Sequence, residues 1–575
     1  MGINCEGRKS NGITLIGLVV TIVVLIILAG VSIAMLTGEN GILSKANTAK
    51  EENEVGAEKE KIGVSATAAK IGNNGIIEIT QDKLKEELDN QFEKDKTEII
   101  DSGNGTYIVK VSNTNREYQI EDNNISLIEK VTDTTPGELA GEGSQNNPYL
   151  IESVEDLVWF ANDVTNGNTY DGKYVNLKTS LNFNSDLSYV NSKRSNFCGY
   201  EGELKTALTT GEGFKGIGAL SGTEETTSFH GVFDGNNNII YNLYMDKDVT
   251  TLEQGYSIAL FGKDLYGQVL NLGLSNVNCQ IISIRWATVS GVAGVLVKYG
   301  YINNCFVTGN IKGISKGNND IYATGIVSFN ESIIENCYNK ANIYCEVEDD
   351  ESTAGCYCGG IASNNQNTIR NCYNTGKIEG IVKKGIGQVG GISRSISVNE
   401  SSLENCYNMG EIKLTGKESS TLAAGGITGH FAEYKCTIKN VYNLGKVTLD
   451  SATSTYANCG GIIGCIESVN YPSTIKNAYN TGEIINGSNT ENNIMIGEIF
   501  GRVWGGSNIF GNYYYLNTAK NLPFGKDHTA IATANKVSSE QLKSNEVLEV
   551  LNSENQVWKK DTSNINNGYP IFNWQ

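Results

Sequence analysis

An asparagine-headed motif recurs at a nearly constant interval through the second half of this 575-residue chain. Its clearest copies read Asn336-Cys-Tyr-Asn, Asn371-Cys-Tyr-Asn and Asn405-Cys-Tyr-Asn. Related copies begin at Asn271, Asn304, Asn440, Asn477 and Asn512, so that successive copies lie 33, 32, 35, 34, 35, 37 and 35 residues apart. A fixed period of this length indicates a repeat protein in which each unit packs against the next.

The segments between the motifs are short β-branched runs that are broken by glycine, as at Gly390-Gly-Ile and Gly425-Gly-Ile. We therefore predict a mainly β fold, a parallel β-helix or β-solenoid, in which adjacent coils pair as parallel strands about 4.8 Å apart. Eight coils of this kind would form a column of roughly 38 Å.

Equivalent side chains of stacked coils should form ladders. The asparagine at the head of each motif is expected to bond neighbouring backbone at a turn and to link one coil to the next. A catalytic role would not need so many copies of one residue. The predicted structural ladder contains Asn304, Asn336, Asn371, Asn405, Asn440, Asn477 and Asn512.

Residues with small apolar side chains recur at the position after the head asparagine. This position holds Cys in four units and Val441 or Ala478 in later ones, which predicts a ladder of buried thiols. Stacked disulfides are the alternative, because the coil spacing lies within the Cα range of a disulfide. Cys356-x-Cys358 has no partner pair or histidine at ligand spacing, so neither a metal nor another cofactor is predicted. The thiol ladder is Cys305, Cys337, Cys372 and Cys406.

A repeated aromatic position allows two interpretations. The tyrosines could line an outer face as a binding stripe, but Phe306 occupies the same position and favours a ladder in the core. We therefore expect insertion loops, such as Asp349–Cys356 and Ser397–Ser402, to carry recognition. The tyrosines are Tyr338, Tyr373, Tyr407, Tyr442 and Tyr479.

The sequence offers little for catalysis. The densest acidic run, Glu346–Glu351, lies in an insertion, where consecutive acids are usually a solvated turn and sometimes a weak Ca²⁺ site. No second acidic cluster accompanies it, and the chain has only 3 His residues. We predict no catalytic residues and no enzyme activity. The net charge of −19 argues against a nucleic-acid partner.

Residues 13–36 contain no charged residue. A helix of this length spans roughly 36 Å, enough to cross a membrane, and Arg8 and Lys9 should keep the preceding residues in the cytoplasm. The remainder of the chain would then be extracellular, at the cell membrane or cell surface. A cleaved signal peptide ending near Ala34 and a simple single-pass anchor are the alternatives.

The segment Lys9-Ser-Asn-Gly12-Ile13-Thr-Leu-Ile16, followed by the apolar run, resembles the leader of type IV pilins and pseudopilins. The resemblance implies that a prepilin peptidase cleaves between Gly12 and Ile13 and methylates Ile13. It also implies pilin subunits as partners. The family usually has Glu at the fifth mature position, where this chain has Gly17, and the missing charge removes a contact between subunits of the filament.

Between the apolar run and the repeats, the sequence predicts a helical stem, an amphipathic helix over residues 80–92 and a meander of short strands. This is the layout of a small α+β pilin-like domain. The Gly- and Pro-containing stretch Thr132–Asn147 has the composition of a linker. The segment from Asn147 to Asn162 and the helical and aromatic C-terminal segment read as caps of the array.

The Tyr-Asn-x-Gly and Gly-Gly-Ile strings, with the opening segment Asn147–Asn162, resemble the GLUG-motif repeats of bacterial surface proteins over residues 147–520. That resemblance implies a β-helix-like architecture and an adhesive role toward a host or environmental glycan or protein. We therefore expect a cell-surface or pilus-associated adhesin-like protein. A structural minor pilin without a ligand and a β-helix carbohydrate-active enzyme are the alternatives.

The sequence divides into seven segments by these criteria. They are a leader at 1–12, a transmembrane and stem helix at 13–72, the pilin-like domain at 73–131, a linker at 132–146, an N-terminal cap with the first β segments at 147–255, the repeat solenoid at 256–520 and a C-terminal cap at 521–575.

Overall fold

A computed structural model describes most of the chain after residue 41. The described residues are 42–71, 79–92, 94, 96–103, 106–112, 116–121, 124–128, 139–184, 204–222, 225–418, 420–432, 435–451, 456–467, 473–488, 494–504, 511–527 and 533–575. The predicted leader, its cleavage point at Gly12 and Ile13, and the apolar segment 13–36 lie outside them. Among the described helices, none is both long enough and apolar enough to span a membrane.

The chain divides into two compact units, Met1–Asp133 and Thr134–Gln575. In the first unit, helices span Ile42–Ile71 and Gln81–Gln91. Leu84 and Leu88, one helical turn apart, are both buried, as the amphipathic pattern predicts. They pack with Tyr118 and other apolar side chains of an antiparallel sheet. Its strands, in order, are Thr97–Gly103, Thr106–Val111, Arg116–Glu121 and Asn124–Ile128.

The second unit confirms the predicted β-solenoid. It makes about seven turns over residues 232–515, one fewer than the eight coils expected. Three sheets of parallel strands run along it. The strands of the first sheet are Tyr149–Ile151, Tyr174–Leu177, Leu181–Asn182, Val232–Asp234, Ile239–Tyr241, Tyr244–Asp248, Gln268–Leu270, Gly273–Ser283, Tyr301–Asn303, Phe306–Ser315, Ile333–Glu335, Tyr338–Asn339, Asn342–Val347, Thr368–Arg370, Tyr373–Asn374, Ile378–Val382, Ser402–Asn408, Ile412–Gly416, Thr437–Asn443, Val447–Ser451, Thr474–Asn480, Ile484–Asn486, Tyr513–Leu516 and Asn535–Val537.

Two further sheets complete each turn. The second sheet consists of Tyr256–Ile258, Ala287–Ser290, Ile321–Thr324, Cys356–Gly359, Ile386–Gly390, Thr421–Gly425, Tyr456–Gly460 and Ile494–Gly497. The third sheet consists of Phe261–Leu265, Ala293–Leu296, Val327–Asn330, Ala362–Asn365, Ser393–Ile396, Thr428–Phe431, Ile463–Glu467, Phe500–Trp504 and Phe524–Asp527.

Alternating polarity explains why these segments are strands. In Ile412–Gly416 the side chains of Ile412 and Leu414 are buried, and Lys413 and Thr415 between them are partly exposed. The strand pairs in parallel register with its neighbours, which aligns Ile412 with Ile378 of one coil and with Val447 of the next. The inward side chains of all three sheets therefore share one continuous apolar core.

The Gly-Gly-Ile corners have a packing cause. A Cβ atom on Gly426 would lie 2.0 Å from the carbonyl oxygen of Gly461 in the next coil and 2.4 Å from the side-chain amide carbon of Asn443. The second glycine of the motif is therefore required by close approach of the following coil and by a buried amide of its own coil.

The strands at the start of the second unit also pair in parallel. The helix Val154–Thr165 begins at Ser153, whose side chain accepts a hydrogen bond from the backbone N–H of Asp156. Its buried face includes Leu157 and Phe160 and packs on the same core as the solenoid. Two short elements follow it before the repeats, the helix Leu204–Thr209 and the 3₁₀ turn Glu225–Thr227.

Two strands of the C-terminal segment pair with the last coil, and the first of these is Phe524–Asp527, which pairs with Phe500–Val503. Asn535–Val537 pairs with Tyr514–Leu516 of that coil, but the rest of the segment packs along the side of the column. Its helices Ser539–Leu542 and Asn545–Leu551 and its antiparallel pair Trp558–Lys559 and Ile571–Phe572 form a separate apolar cluster with tyrosines of several coils.

Candidate binding groove

The outward side chains of the second and third sheets meet along one side of the solenoid and form a groove. In its first half, large side chains fill this groove. The ring of Tyr322 lies 5.9 Å from Trp286, 4.9 Å from Phe329 and 4.9 Å from Tyr357. The guanidinium of Arg394 lies 4.1 Å from the centroid of the Tyr357 ring. No ligand could enter this part without displacing aromatic packing.

The groove opens where the side chains at the equivalent positions of later coils are smaller. Ala423 occupies the position that Tyr322, Tyr357 and Gln388 hold in earlier coils. The result is a cavity of about 550 Å³, which we call the groove pocket. Its size is typical of ligand sites. The lining residues are Ile386, Gln388, Thr421, Ala423, His430, Tyr456, Asn458, Cys465, Glu467, Arg502 and Trp504.

Arg502 dominates the chemistry of the groove pocket. The residue is 5% exposed, and its guanidinium lies 4.0 Å from the Trp504 ring centroid and 5.2 Å from that of Tyr456. Its Nε is buried without a hydrogen-bond partner. Burying a charge is costly unless an anion or hydrogen-bond acceptors compensate it, so this arrangement suits a ligand that supplies acceptors.

A second charged pair lines the pocket. Nε2 of His430 lies 3.3 Å from Oε2 of Glu467, and the thiol of Cys465 donates to Oε1 of Glu467 at 3.7 Å. The hydrogen bond to His430 lowers the pKa of Glu467 despite partial burial, and the charges of His430 and Arg502 lower it further. Burial raises the pKa of Cys465 to about 12, which keeps this thiol protonated at neutral pH.

Two amide side chains complete the wall. Nδ2 of Asn458 donates to the carbonyl oxygen of Leu422 at 3.2 Å, which fixes the orientation of that amide. Oδ1 of Asn458 and Oε1 of Gln388 are buried without a hydrogen-bond donor. Unpaired buried polar atoms are uncommon in folded proteins, and a concentration of them in one place indicates a binding surface.

The groove pocket could not be predicted from the sequence. Its polar side chains are far apart in sequence, and the single usable signal is that His430, Cys465 and Arg502 follow one another by 35 and 37 residues, which is the repeat period. The structure aligns these three residues in register on adjacent strands of the third sheet. The predicted recognition loops Asp349–Cys356 and Ser397–Ser402 do not line the groove pocket.

The structure brings the head asparagines together. Nδ2 of Asn371, Asn405, Asn440, Asn477 and Asn512 each donates to Oδ1 of the head asparagine in the preceding coil, at 2.9–3.2 Å. Asn304 donates to Asn271 at 2.8 Å, but Asn336 donates to Asn303 instead of Asn304. The heads from Asn271 to Asn477 have φ of 51–55°, a left-handed conformation that Asn tolerates better than most residues.

A second asparagine ladder is buried, and the sequence analysis did not assign it. It consists of the asparagine that follows the tyrosine in each motif. Nδ2 of Asn408 donates to Oδ1 of Asn443 at 2.8 Å and to the carbonyl oxygen of Gly410 at 2.9 Å, and its own Oδ1 accepts from the N–H of Gly410. The buried asparagine ladder is Asn339, Asn374, Asn408, Asn443 and Asn480.

The predicted thiol positions are stacked and buried, and the thiols are free. Burial raises the pKa of Cys305, Cys337 and Cys372 well above its usual value. The sulfur atoms also accept hydrogen bonds, a role that the preference for small apolar side chains at this position did not predict. The sulfurs of Cys337, Cys372 and Cys406 each accept the backbone N–H of the cysteine one coil earlier, at 3.4 Å.

The repeated tyrosines are not in the solenoid core, which corrects the expectation of an inward ladder. Rings from Phe306 to Tyr479 stack with centroids 4.8–4.9 Å apart. They project from the opposite face to the buried cysteines and asparagines beside them. The C-terminal segment covers Tyr407, Tyr442 and Tyr479, with Trp558 and Phe572 packed on the stack, whereas Phe306, Tyr338 and Tyr373 stay partly exposed.

A three-cysteine cluster lies inside the column. The structure brings Cys345 to Cys356 and Cys358, with all three sulfurs within 4.8 Å of one another, so the Cys-x-Cys pair does have a third potential ligand. Burial raises the pKa of Cys345 and Cys358. Burial opposes ionisation of Cys356 too, but hydrogen bonds from the other two thiols lower its pKa. The described residues thus place three potential sulfur ligands together, which the spacing of Cys356 and Cys358 alone did not predict.

The acidic insertion is neutralised by the following coil. Asp350 pairs with Lys383, and Glu351 pairs with Lys384 at 2.9 Å. Glu346 accepts a hydrogen bond from the hydroxyl of Tyr344. These pairings fit the solvated-turn interpretation better than a Ca²⁺ site, because lysines hold the carboxylates that a cation would need.

No protein-family model matches the chain, and a search of curated proteins finds no match to it.

Proposed function

We propose that this protein is a cell-surface or pilus-associated adhesin-like protein whose β-solenoid binds a glycan in the groove pocket. The observation that carries the proposal is the combination found in that pocket. A buried guanidinium, exposed aromatic rings and unpaired amide oxygens line one cavity of about 550 Å³. Aromatic faces with a few placed polar groups are typical of sites for polar organic ligands.

The location of the pocket favours an extended ligand. Gln388, Ala423 and Asn458 come from three successive strands of one sheet, and strands of a sheet are about 4.8 Å apart. The amides of Gln388 and Asn458 are thus offered roughly 10 Å apart along the groove, with the space above Ala423 between them. An oligosaccharide, which presents hydroxyl groups at regular intervals, fits this arrangement better than a compact small molecule.

Binding fits the pocket chemistry better than catalysis. Glycoside hydrolysis usually needs two carboxyl groups that flank the scissile bond, and Glu467 is the one carboxylate among the described residues that line the pocket. The Cys465 thiol is protonated and therefore a poor nucleophile. The His430–Glu467 pair is the feature that would serve the alternative, a carbohydrate-active enzyme.

Display on the cell surface rests on the N-terminal sequence. We propose that residues 13–36 place the chain in the membrane after a prepilin peptidase cleaves between Gly12 and Ile13. The repeats would then be held outside the cell as in GLUG-motif surface proteins. Mass spectrometry of the N-terminal peptide from native cells tests this part, since N-methylated Ile13 supports processing and a mature terminus at Met35 contradicts it.

A glycan array tests the binding proposal. The full-length protein in detergent should bind a defined subset of oligosaccharides. Ala423→Tyr should abolish that binding, because it restores the large side chain that fills the groove at Tyr322 and Tyr357. Thr448→Tyr, on an outward position of a first-sheet strand, is the matched control and should bind as the wild type does.

The alternatives predict different outcomes. Absence of binding to any glycan would favour a structural minor pilin. Release of reducing sugars from a bound glycan, lost in Glu467→Gln, would favour the enzyme. Binding that survives Ala423→Tyr would place the site outside the groove pocket.

A further inference from the structure

No described residue supplies an anion that pairs with the guanidinium of Arg502. Nε is buried without a partner, and the terminal nitrogens make no hydrogen bond within the described part of the chain. The rings of Trp504 and Tyr456 lie within stacking distance of the guanidinium. Stacking uses the face of the group and leaves its in-plane N–H donors free, and this planar fork matches the two oxygens of a carboxylate.

Glu467 is close but does not fulfil this role. It is bound to His430 and Cys465, and although the charge of Arg502 contributes to the lowered pKa of Glu467, the two residues form no ion pair within 4 Å among the described contacts. The carboxylate of Glu467 is therefore occupied by other donors. It also disfavours a ligand with a high density of negative charge in the same cavity.

The strand neighbours of Arg502 extend the positive character of this end of the groove. Lys526 is in register with Arg502 on the next strand of the third sheet, and Cys465 and His430 precede it on the two earlier strands. The acidic residue Glu467 is in register with Trp504 on the neighbouring strand. Lys526 is exposed and lies outside the lining of the groove pocket, so it adds positive charge near the Arg502 end without lining the site.

We infer that the groove pocket selects an acidic sugar, whose carboxylate pairs with the terminal nitrogens of Arg502 while neighbouring rings and hydroxyls lie against Trp504, Gln388 and Asn458. This inference rests on the proposed glycan binding and names the class of glycan. A carboxylate fits better than a sulfate ester, because its two coplanar oxygens match the planar guanidinium fork.

Isothermal titration of the full-length protein in detergent tests the inference with four matched probes. They are trigalacturonate, its methyl ester, sialyllactose and a sulfated lactose. The wild type should bind at least one carboxylated probe about 10 to 100 times more tightly than a neutral probe of the same size, which is the usual range for a charged hydrogen-bonded pair. Methyl esterification removes the charge and keeps the size of the ligand.

Two variants assign the effect to Arg502. Arg502→Met keeps an apolar stem of similar length and should bind the acid and the ester equally. Arg502→Lys keeps the charge without the fork and should retain part of the preference. Circular dichroism and thermal unfolding establish that both variants are folded.

The outcomes separate this inference from the proposed function. If the wild type binds neutral glycans as tightly as carboxylated ones, or the sulfated probe most tightly, the acidic-sugar inference is wrong and glycan binding stands. If an acid preference persists in Arg502→Met, the assignment to Arg502 is wrong. If no probe binds and the array is also blank, both the inference and the proposed function are wrong.

Discussion

The side-chain amide of Asn374 donates a hydrogen bond of 2.8 Å to the side-chain oxygen of Asn408, one coil further along the solenoid. The same link joins each pair of neighbours from Asn339 to Asn480. The ladder ends at Glu498, which occupies the second-glycine position of its coil and accepts from Asn480 at 3.5 Å. A buried polar row is tolerated inside an apolar column because each amide in it has partners.

Asn408→Ala should destabilise the solenoid by about 3–5 kcal/mol, because it removes four buried hydrogen bonds, one with Asn374, one with Asn443 and two with Gly410, at roughly 1 kcal/mol each. Equilibrium unfolding in guanidinium chloride measures the loss. The head residue Asn405 is less buried and offers the comparison. Asn405→Ala should cost about 1–2 kcal/mol, mainly for its left-handed φ of 54°. Equal losses in the two variants would contradict a special role for the buried ladder.

Cys372→Val should cost about 1–2 kcal/mol, although Val441 is tolerated at the same repeat position. The sulfur of Cys372 accepts the backbone N–H of Cys337, and valine leaves that N–H unpaired in the core. Cys459 aligns with Ala424, and within the described part of the chain its sulfur accepts no backbone N–H, so Cys459→Val should stay within about 1 kcal/mol of the wild type. Thermal unfolding of the two variants side by side measures the difference in stability. If Cys372→Val is as stable as the wild type, side-chain volume alone determines which residues this repeat position accepts.

The pH dependence of stability should report on Glu498. The residue is 3% exposed, and burial raises the pKa of its carboxyl above the usual value despite hydrogen bonds from Asn521. Because the folded-state pKa is higher than the unfolded one, the protonated group favours the fold, and this contribution is lost as the pH rises through the folded-state pKa. Glu498→Gln should therefore gain stability relative to the wild type between about pH 4 and neutral pH. A difference that is independent of pH over this range would contradict the assignment.

Trp558→Ala should loosen the C-terminal segment. Trp558 is 3% exposed and packs on Tyr442 and Tyr479, so its removal should cost about 3–5 kcal/mol for a buried aromatic side chain. Trp574 is 40% exposed, and Trp574→Ala should cost much less. Limited proteolysis should cleave the segment after residue 538 faster in Trp558→Ala than in Trp574→Ala. Equal cleavage rates would show that the segment is not held by the tyrosine stack.

The repeat period was sufficient to predict the parallel solenoid, the contact between head asparagines and the burial of the repeated cysteines. Each of these follows because stacking of the coils places a residue beside its equivalent about 35 positions further along the chain. The repeat spacing in the sequence therefore predicts these contacts in the fold. The amphipathic pattern of Leu84 and Leu88 was likewise sufficient for the helix in the first unit.

The tyrosine stack and the groove pocket could not be predicted in this way. Repetition shows that Tyr407, Tyr442 and Tyr479 are aligned, but the side of the sheet that they occupy and what covers them depend on a segment about 80 or more residues further along the chain. The groove pocket depends on the absence of a side chain, because Ala423 leaves open a position that Tyr357 fills. A small residue in one repeat does not indicate a pocket until the residues of the facing sheet are known.

The most direct test of the account is a crystal structure of the protein with an oligosaccharide selected on the array. The ligand should lie in the groove pocket against Trp504, with its carboxylate within hydrogen-bond distance of the terminal nitrogens of Arg502. A ligand bound instead on the exposed rings of Phe306 and Tyr338, or anywhere outside the groove, would contradict it.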